Sequence, residues 1–326
     1  MLTRRRFMTA TAGVGSCLIS PRATAQTVAK PSRLIVGFPA GGSIDVVARL
    51  LVEHMKGYAP SLIVDNRPGG AGRTALDALK SGEADGSVIA ITPGDQLTLF
   101  PHVYKVLSYK PLEDFTPVTT VCSVQFLLTI GPLVPADVRS LADFIVWCRG
   151  NPQAAMFGTV GAGSRPHFLG TMFARAANFD FAHLPYKGNL QAVQDMLGSH
   201  VAANVSTIGN TLAHVQSGAL RALATTAPRR SAALPDVPTF GELGYPTLEA
   251  VEWFGMVAPS KTPAHLVAAL YKTVLQALQS TEFKAGLAKL SFDASQAAPS
   301  DFAQLIKSDT ERWAGIVKSV GFAPLE

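Results

Sequence analysis

Short apolar runs alternate with amphipathic helical segments along most of the chain. In the N-terminal third, runs rich in Leu, Ile and Val are each followed by apolar residues at helical spacing, which is typical of buried strands and the helices that cover them. These predicted elements lie at 34–36, 43–55, 62–64, 72–80, 88–91 and around Gln96. Because strands and helices alternate, the pattern predicts a parallel sheet with helices on its faces.

A second series of the same kind begins at an unbroken apolar run, residues 124–130, which is long enough to cross between two sheets. Further strands are predicted at 155–157, 181–184, 201–205 and 220–225, with helices at 140–149, 164–177, 189–198 and 208–217. The chain returns at 253–258, and amphipathic helices follow at 263–278 and 299–320. We therefore expect two Rossmann-like α/β lobes: 26–125 plus 249–326 as lobe 1, and 126–248 as lobe 2. Ligands of such sheets bind at the carboxyl ends of the strands, here in a cleft between the lobes.

The N-terminus predicts export. Three consecutive arginines at 4–6, an apolar stretch to Ser20 and Ala23-Thr24-Ala25 match a signal peptide over residues 1–25. The arginines also match a twin-arginine signal, although ordinary export signals carry adjacent arginines too, so the route stays open. Acylation of Cys17 is a competing possibility, but the residues before it match a lipoprotein signal poorly. The expected location is the periplasm.

Charge and composition exclude several partner classes. The chain has 326 residues, 48% of them hydrophobic, which is enough for two domains with substantial cores. Residues 1–25 carry four arginines and no acidic residue, so their removal lowers the formal charge from +5 to +1. The mature protein therefore gives no reason to expect a nucleic-acid partner or an anionic membrane surface.

Cysteine and histidine spacing give no support for a metal or a cofactor. After signal cleavage only Cys122 and Cys148 remain, each among apolar neighbours. A disulfide is permitted in the periplasm, but we favour two buried thiols. There is no CxxC or HExxH motif and no clustered ligand spacing, so neither a metal nor a cofactor is expected.

Two glycine-containing loops each end a predicted strand and begin a helix. In the first, Gly41 and Gly42 precede Ser43, a natural N-cap, and the N–H groups of a helix N-terminus bind anions without any Lys or Arg. An ordinary tight turn with a cap is the alternative. The second loop, 158–167, is not a dinucleotide fingerprint or a nucleophile elbow, because Pro166 replaces the third glycine and Ser164 lacks the G-x-S-x-G frame.

A set of motifs in fixed order resembles one known family. They are Gly41-Gly42-x-x-Asp45-x-x-Ala48-Arg49, Asp65-Asn66-Arg67-Pro68-Gly69-Gly70-x-Gly72, Gly161-x-Gly163-Ser164-x-x-His167, Pro185-Tyr186-Lys187-Gly188 and Leu234-Pro235-Asp236-Val237-Pro238-Thr239. Together they are similar to the Bug family, the extracytoplasmic receptors of tripartite tricarboxylate transporters. The resemblance implies a type II periplasmic-binding-protein fold that closes on a small dicarboxylate, tricarboxylate or aromatic acid. It also implies membrane permease subunits or a sensor as partner, and a monomer is the default for a protein that must hinge freely.

Carried over by position, the resemblance assigns the ligand site to ten residues. In the first loop, backbone N–H groups would hold one carboxylate while Asp45 orients water or meets a ligand donor. The distal end of the ligand would be held by the second loop, and two further candidates follow strands. The ten residues are Gly41, Gly42, Ser43, Asp45, Thr92, Gly161, Gly163, Ser164, His167 and Ser206.

Three departures from the family pattern bear on specificity. Ala40 replaces a common proline, Ile44 stands where threonine is usual, and Ser206 stands where aspartate is frequent. The site should thus disfavour ammonium groups and prefer a plain or partly apolar acid. Roles for Arg67 and Lys187, as ligand contacts or as ordinary loop residues, stay open.

The alternative class is a periplasmic hydrolase or transferase on a two-lobed α/β scaffold. Catalysis would need a nucleophile with a base, a paired acid and base, or a metal. The histidines are scattered and none sits in a recognisable catalytic motif. We therefore expect a binding protein and no catalytic residues.

Overall fold

The computed structural model describes residues 27–326, and the predicted signal peptide and Cys17 lie outside them. The described chain forms ten strands. They are β1 (Ser32–Val36), β2 (Leu62–Asn66), β3 (Val88–Pro93), β4 (Phe115–Ile130), β5 (Met156–Thr159), β6 (Ala182–Pro185), β7 (Ala203–Thr207), β8 (Arg221–Thr225), β9 (Val251–Pro259) and β10 (Asp293–Ala294).

Twelve α-helices connect and cover these strands in the described chain, with short 3-10 turns at Gly70–Gly72 and Pro246–Leu248. The helices are α1 (Ser43–His54), α2 (Arg73–Lys80), α3 (Asp95–Thr98), α4 (Phe100–Val103), α5 (Pro111–Asp114), α6 (Leu141–Gly150), α7 (Arg165–Ala176), α8 (Asn189–Leu197), α9 (Ile208–Gln216), α10 (Ala264–Gln279), α11 (Thr281–Lys289) and α12 (Pro299–Ser319).

The long strand β4 belongs to two sheet regions. Its first part pairs antiparallel with β9 as far as Gln125, and its last part, from Phe126 on, pairs antiparallel with β7 and β8. The first region has the order β2-β1-β3-β9-β4, and the second has β4-β7-β5-β6. We call the first region with α1–α5 and α10–α12 lobe 1, and the second with α6–α9 lobe 2. The fold is thus a two-lobed α/β architecture.

The core of lobe 1 extends into lobe 2 at Ile208 and Leu212 of α9, lobe 2 has a second core, and a further cluster joins the lobes. In lobe 1, apolar side chains pack on both faces of the sheet, against α1, α10 and α11 on one side and α2 and α12 on the other. The core of lobe 2 surrounds Phe144, Phe157 and Phe173. A separate cluster seats Phe168 of α7 among residues of α4, α12 and the C-terminal segment of lobe 1, including Trp313. This cluster fixes one side of the boundary between the lobes.

The structure confirms the predicted strands and helices to within a few residues and corrects three points. The sheet is mixed, because β9 runs antiparallel to β3, so the expectation of a parallel sheet holds only within β1–β3 and within β5–β7. The pattern missed the first part of β4. It also missed α11, where only Phe283 and Leu287 are buried. The proposed lobe boundary at 125/126 falls where β4 changes partners and stays a prediction.

Both cysteines are buried and unbonded, as favoured from their apolar neighbours. Burial raises the pKa of the Cys148 thiol to about 12 and that of Cys122 further still. Within residues 27–326, no helix is long and apolar enough to cross a membrane. The same residues bring together no group of three or more His, Cys, Asp or Glu side chains suited to hold a metal ion.

Candidate functional site

A cavity of about 580 Å³ lies between the lobes, which is the size range of small-molecule sites. Much of its wall is apolar, and both lobes contribute to it. The apolar lining residues are Phe38, Pro39, Ile44, Pro68, Pro93, Phe126, Val160, Pro166, Leu190 and Phe254. The polar and charged ones are Ser43, Asp95, Lys187, Asn189, Gln191, Thr207, Asn210 and Glu252. We call this space the interlobe cavity.

Four helices of nine or more residues begin at the interlobe cavity. Residues of the first turn or the N-cap line it in α1 of lobe 1 and in α7, α8 and α9 of lobe 2. The first N–H groups of a helix have no acceptor within that helix, and the aligned peptide dipoles add partial positive charge there. Convergence of four such ends favours an anion in the cavity, although among the described lining residues Lys187 alone has a cationic side chain.

Asp45 stabilises the first glycine loop from the side facing away from the cavity. Gly41 has φ +87°, and its N–H donates to Asp45 Oδ2 over 2.9 Å. The same carboxylate accepts from Arg49 Nε at 2.9 Å and from Asn66 Nδ2 at 2.8 Å. Burial alone would raise the pKa of Asp45, but these hydrogen bonds lower it below its usual range. The carboxylate is therefore ionised and fully engaged within lobe 1, outside the cavity wall.

Ser43 does not cap α1, contrary to the sequence expectation. Gly42 occupies the N-cap position, and no side chain caps the helix. The Ser43 hydroxyl instead lies 2.9 Å from Thr207 Oγ1, and its N–H donates to Asn210 Oδ1 over 3.1 Å. Asn210 Nδ2 in turn donates to Thr207 Oγ1 over 2.7 Å. These bonds join the N-termini of α1 and α9 across the boundary between the lobes.

The second glycine loop contacts lobe 1 closely but lies behind the cavity wall. Gly161 has φ +95°, and a Cβ added to it would lie 2.7 Å from Ala71 Cβ, so only glycine fits. Ser164 Oγ donates to the Gly161 carbonyl over 2.8 Å. The N–H of Gly163, at φ +76°, donates to His167 Nδ1 over 3.1 Å. These interactions shape the loop, and only its neighbours Val160 and Pro166 line the cavity.

His167 is stacked on a second histidine. Its ring lies 3.7 Å from that of His183, centroid to centroid, at an interplanar angle of 14°. His183 Nε2 lies 2.7 Å from Thr159 Oγ1. Burial lowers the pKa of His167 to about 4, and burial together with the His167 ring lowers that of His183 to about 3. Both rings are therefore neutral at ordinary pH and form part of the packing of lobe 2.

The two candidates at strand ends lie outside the cavity wall. Thr92 is buried and donates to Gln96 Oε1 over 2.6 Å. Ser206 is fully buried in β7. The next residue, Thr207, lines the cavity instead, because successive side chains of a strand point to opposite faces.

Three buried ionisable residues meet beside the cavity. Arg165 Nε lies 3.0 Å from Glu252 Oε2, and the Arg165 main-chain N–H donates to Asp95 Oδ2 over 3.2 Å. Asp95 and Glu252 also line the cavity. Burial raises the pKa of both carboxyl groups, that of Glu252 to about 8, although the guanidinium opposes the shift. We call Asp95, Arg165 and Glu252 the buried ion cluster.

The structure thus brings two of the ten predicted site residues, Gly42 and Ser43, to the cavity wall. The other eight lie in or behind the loops that form it. Sequence reasoning missed Thr207 and Asn210, although they too lie where a predicted strand ends and a predicted helix begins. It also missed the buried ion cluster, for which no local signal exists. Trp253 lies in the core of lobe 1, and its Nε1–H donates to Asp309 Oδ2 over 3.0 Å.

The two basic residues whose roles the sequence left open, Arg67 and Lys187, lie in different places relative to the cavity. Arg67 forms an ion pair with Asp65, with Nε to Oδ2 at 2.9 Å, and is not among the lining residues. Lys187 lines the cavity at its exposed rim. Arg67 is therefore placed as a turn residue and Lys187 beside the ligand space.

Comparisons with known proteins agree with this architecture. A family model described as a tripartite tricarboxylate transporter family receptor matches residues 47–322. The protein BugT of Bordetella pertussis is 34% identical over 318 residues, which cover 96% of this chain and 94% of BugT. Both findings cover nearly all of residues 27–326.

Two solved structures are similar over their whole length. Rpa4515 of R. palustris with adipate has 29% identity and a TM-score of 0.85, covering 91% of this chain and 99% of that one. MatC from Rhodopseudomonas palustris with bound malate has 26% identity and a TM-score of 0.82, covering 88% and 99%. The resemblance to the Bug receptors is confirmed, and the chain belongs to the tripartite tricarboxylate transporter receptor family.

Proposed function

We propose that this protein is exported to the periplasm by residues 1–25 and captures a small carboxylate in the interlobe cavity. It then delivers the acid to permease subunits of a tripartite tricarboxylate-type transporter or to a sensor. The observation that carries the proposal is the convergence of four helix N-termini on one cavity with largely apolar walls. Backbone N–H groups can hold a carboxylate there without a buried counter-ion.

The relatives support this ligand class. Rpa4515 was solved with adipate and MatC with malate, and both share the fold of this chain along nearly its whole length. In this chain, Ile44 and Phe126 line the cavity close to the N-termini of α1 and α9. The ligand we propose therefore has a carboxylate end and an apolar body, such as an aliphatic dicarboxylate or an aromatic acid.

The predicted site residues divide into two proposed roles. Gly42 and Ser43 contact the ligand through the α1 N-terminus, together with Thr207 and Asn210 of α9. The remaining predicted residues shape the two loops or support them from behind. They are Gly41, Asp45, Thr92, Gly161, Gly163, Ser164, His167 and Ser206.

Binding without catalysis is the second part of the proposal. The Ser164 hydroxyl donates to a carbonyl, and His167 Nδ1 accepts from a backbone N–H, so the two do not form a nucleophile and base pair. The comparison supports it as well, because the matching family is one of receptors. Hydrolysis of an ester substrate that is lost on Ser164→Ala would contradict it.

The test is the thermal stability of residues 26–326 against adipate, malate, citrate, benzoate and other small acids. A ligand at 100 times its dissociation constant stabilises the folded protein by about 2.7 kcal/mol, which raises the melting temperature measurably. Gly42→Asp places a carboxylate at the α1 N-terminus, where a Cβ has its nearest contact at 3.7 Å, so the fold should tolerate it. Gly315→Asp, at an open position of α12, adds the same charge far from the loop.

We expect a stabilising shift with one class of acid, lost in Gly42→Asp and kept in Gly315→Asp. Equal loss in both variants would mean that net charge, not the cavity, governs binding. A shift with none of the acids would contradict the carboxylate assignment.

A further inference from the structure

The guanidinium of Arg165 belongs to lobe 2 by sequence but is surrounded by lobe 1. It is fully buried, and Nη1 donates to the Val251 carbonyl over 3.0 Å. Its Cζ lies 4.8 Å from the ring centroid of Trp313 in α12, which is a cation–π distance. Together with Asp95 and Glu252, these contacts insert the first residue of α7 into the other lobe.

This arrangement is not an efficient way to stabilise a fold. Burial of a charged group costs several kcal/mol, and an apolar replacement of the same size is often neutral or stabilising. The cluster also leaves polar atoms unsatisfied: Asp95 Oδ1 and Arg165 Nη2 have no hydrogen-bond partner within the described chain. A role other than stability would account for the charges.

The position of the cluster indicates that role. Arg165 is the first residue of α7, and Pro166, the second, lines the interlobe cavity. Asp95 and Glu252, from two separate segments of lobe 1, line it as well. The cluster therefore holds the positive end of α7 at a defined place beside the ligand space, and it draws the two lobes together at that point.

We propose that Arg165 is a positioning residue for ligand capture: its guanidinium contact with Glu252 and the hydrogen bond from its main-chain N–H to Asp95 hold the N-terminus of α7 against lobe 1, at the wall of the interlobe cavity. Arg165 acts through the helix and does not touch the ligand. The inference rests on the proposed function, because it assigns the cluster a task in carboxylate binding. A ligand that presents no anionic group to the cavity would not need the cluster.

The decisive variant removes every ionisable group of the cluster and keeps the volume: Asp95→Asn, Arg165→Met and Glu252→Gln together. Arg165→Met alone leaves two buried carboxyl groups without a counter-ion and is expected to destabilise the fold. The neutral triple variant avoids that loss, so its melting temperature should stay near that of the wild type. Its dissociation constant for adipate, or for the acid of the panel that the wild type binds most tightly, should rise about tenfold or more, corresponding to about 1.4 kcal/mol.

Arg175→Met is the matched control. Arg175 lies at the other end of α7, is exposed, and also donates to lobe 1 at the Val320 carbonyl. Its loss should change the dissociation constant less than twofold. If Arg165 had a merely structural role, the melting temperature and the affinity of the triple variant would fall together, or neither would change.

Hydrogen–deuterium exchange of the ligand-free protein tests the positioning step separately from the ligand. Amides at residues 165–170 should exchange faster in the triple variant than in the wild type, while the amides of α6 stay unchanged. Unchanged exchange at 165–170 would overturn the inference even if the wild type binds a carboxylate. Faster exchange there, with no acid bound by the wild type, would support the clamp between the lobes and refute the proposed function.

Discussion

Replacement of Glu252 by glutamine should flatten the dependence of stability on pH. Glu252 is buried beside Asp95 and Arg165, and that burial raises the pKa of its carboxyl group to about 8, against an ordinary value of 4.5. Between these two values the folded protein holds a proton that the unfolded chain releases. The free energy of unfolding of the wild type therefore falls as pH rises through this window.

The magnitude follows from the single proton involved. One proton bound in the folded state and absent from the unfolded state changes the free energy of unfolding by about 1.4 kcal/mol per pH unit. From pH 6.5 to pH 7.5, titration of the Glu252 carboxyl group should thus lower the free energy of unfolding of the wild type by about 1 kcal/mol or slightly more. In Glu252→Gln this loss disappears, because the amide does not titrate.

Urea unfolding without ligand, at pH 6.5, 7.0, 7.5 and 8.0, measures this difference. The variant should have a flatter curve of unfolding free energy against pH than the wild type. The control Glu249→Gln, at an exposed position three residues away, should reproduce the wild-type curve. Parallel curves for the wild type and Glu252→Gln would refute the reasoning, since the folded protein would then hold no extra proton at this site.

Three further predictions concern other parts of the structure. Gly161→Ala and the control Gly218→Ala both place alanine at positive φ, which costs about 1–2 kcal/mol of stability in each variant. Gly161→Ala should lose more than the control, because its Cβ also meets Ala71 of the opposite lobe at 2.7 Å, and it alone should weaken ligand binding in calorimetry. Burial lowers the pKa of His167 and His183 in the folded protein, so the unfolded chain binds more protons below pH 6.5 and stability should fall from there towards about pH 4. His183→Gln should make this fall in stability shallower in acid unfolding curves, and an unchanged slope would contradict the assignment. Phe168→Ala should cost about 3–5 kcal/mol in urea unfolding, whereas a cost under 1 kcal/mol would show that the cluster between the lobes contributes little.

The periodicity of the sequence located the elements well because it reports burial along one segment at a time. It placed α1 and α7 and both glycine loops correctly. It could not give the direction of β9, which depends on the chain crossing between lobes and not on its own apolar run. It missed the first part of β4 for the same reason: residues 115–123 acquire their strand conformation by pairing with β9.

The candidate site shows the same limit at finer scale. The rule that ligands bind at strand ends pointed correctly to β7, but the side chain at the cavity is Thr207 and not Ser206. Successive side chains of a strand point to opposite faces, so an error of one residue selects the wrong face. The glycine loops were identified from their local residues. Local residues also suggested Ser43 as a cap, and this was wrong because its hydroxyl pairs with Thr207, which lies 164 residues away in the chain. Arg165 and Asp95, separated by 70 residues, meet only in the folded chain.

The most direct test of the central claim is a crystal structure of residues 26–326 with the acid that stabilises the protein most. We predict density for one acid molecule in the interlobe cavity, with a carboxylate within hydrogen-bond distance of the backbone N–H groups at the start of α1. Asn210 or Thr207 should contact it from the other lobe. Density for the acid only on the outer surface of either lobe, with the interlobe cavity holding water alone, would contradict the account.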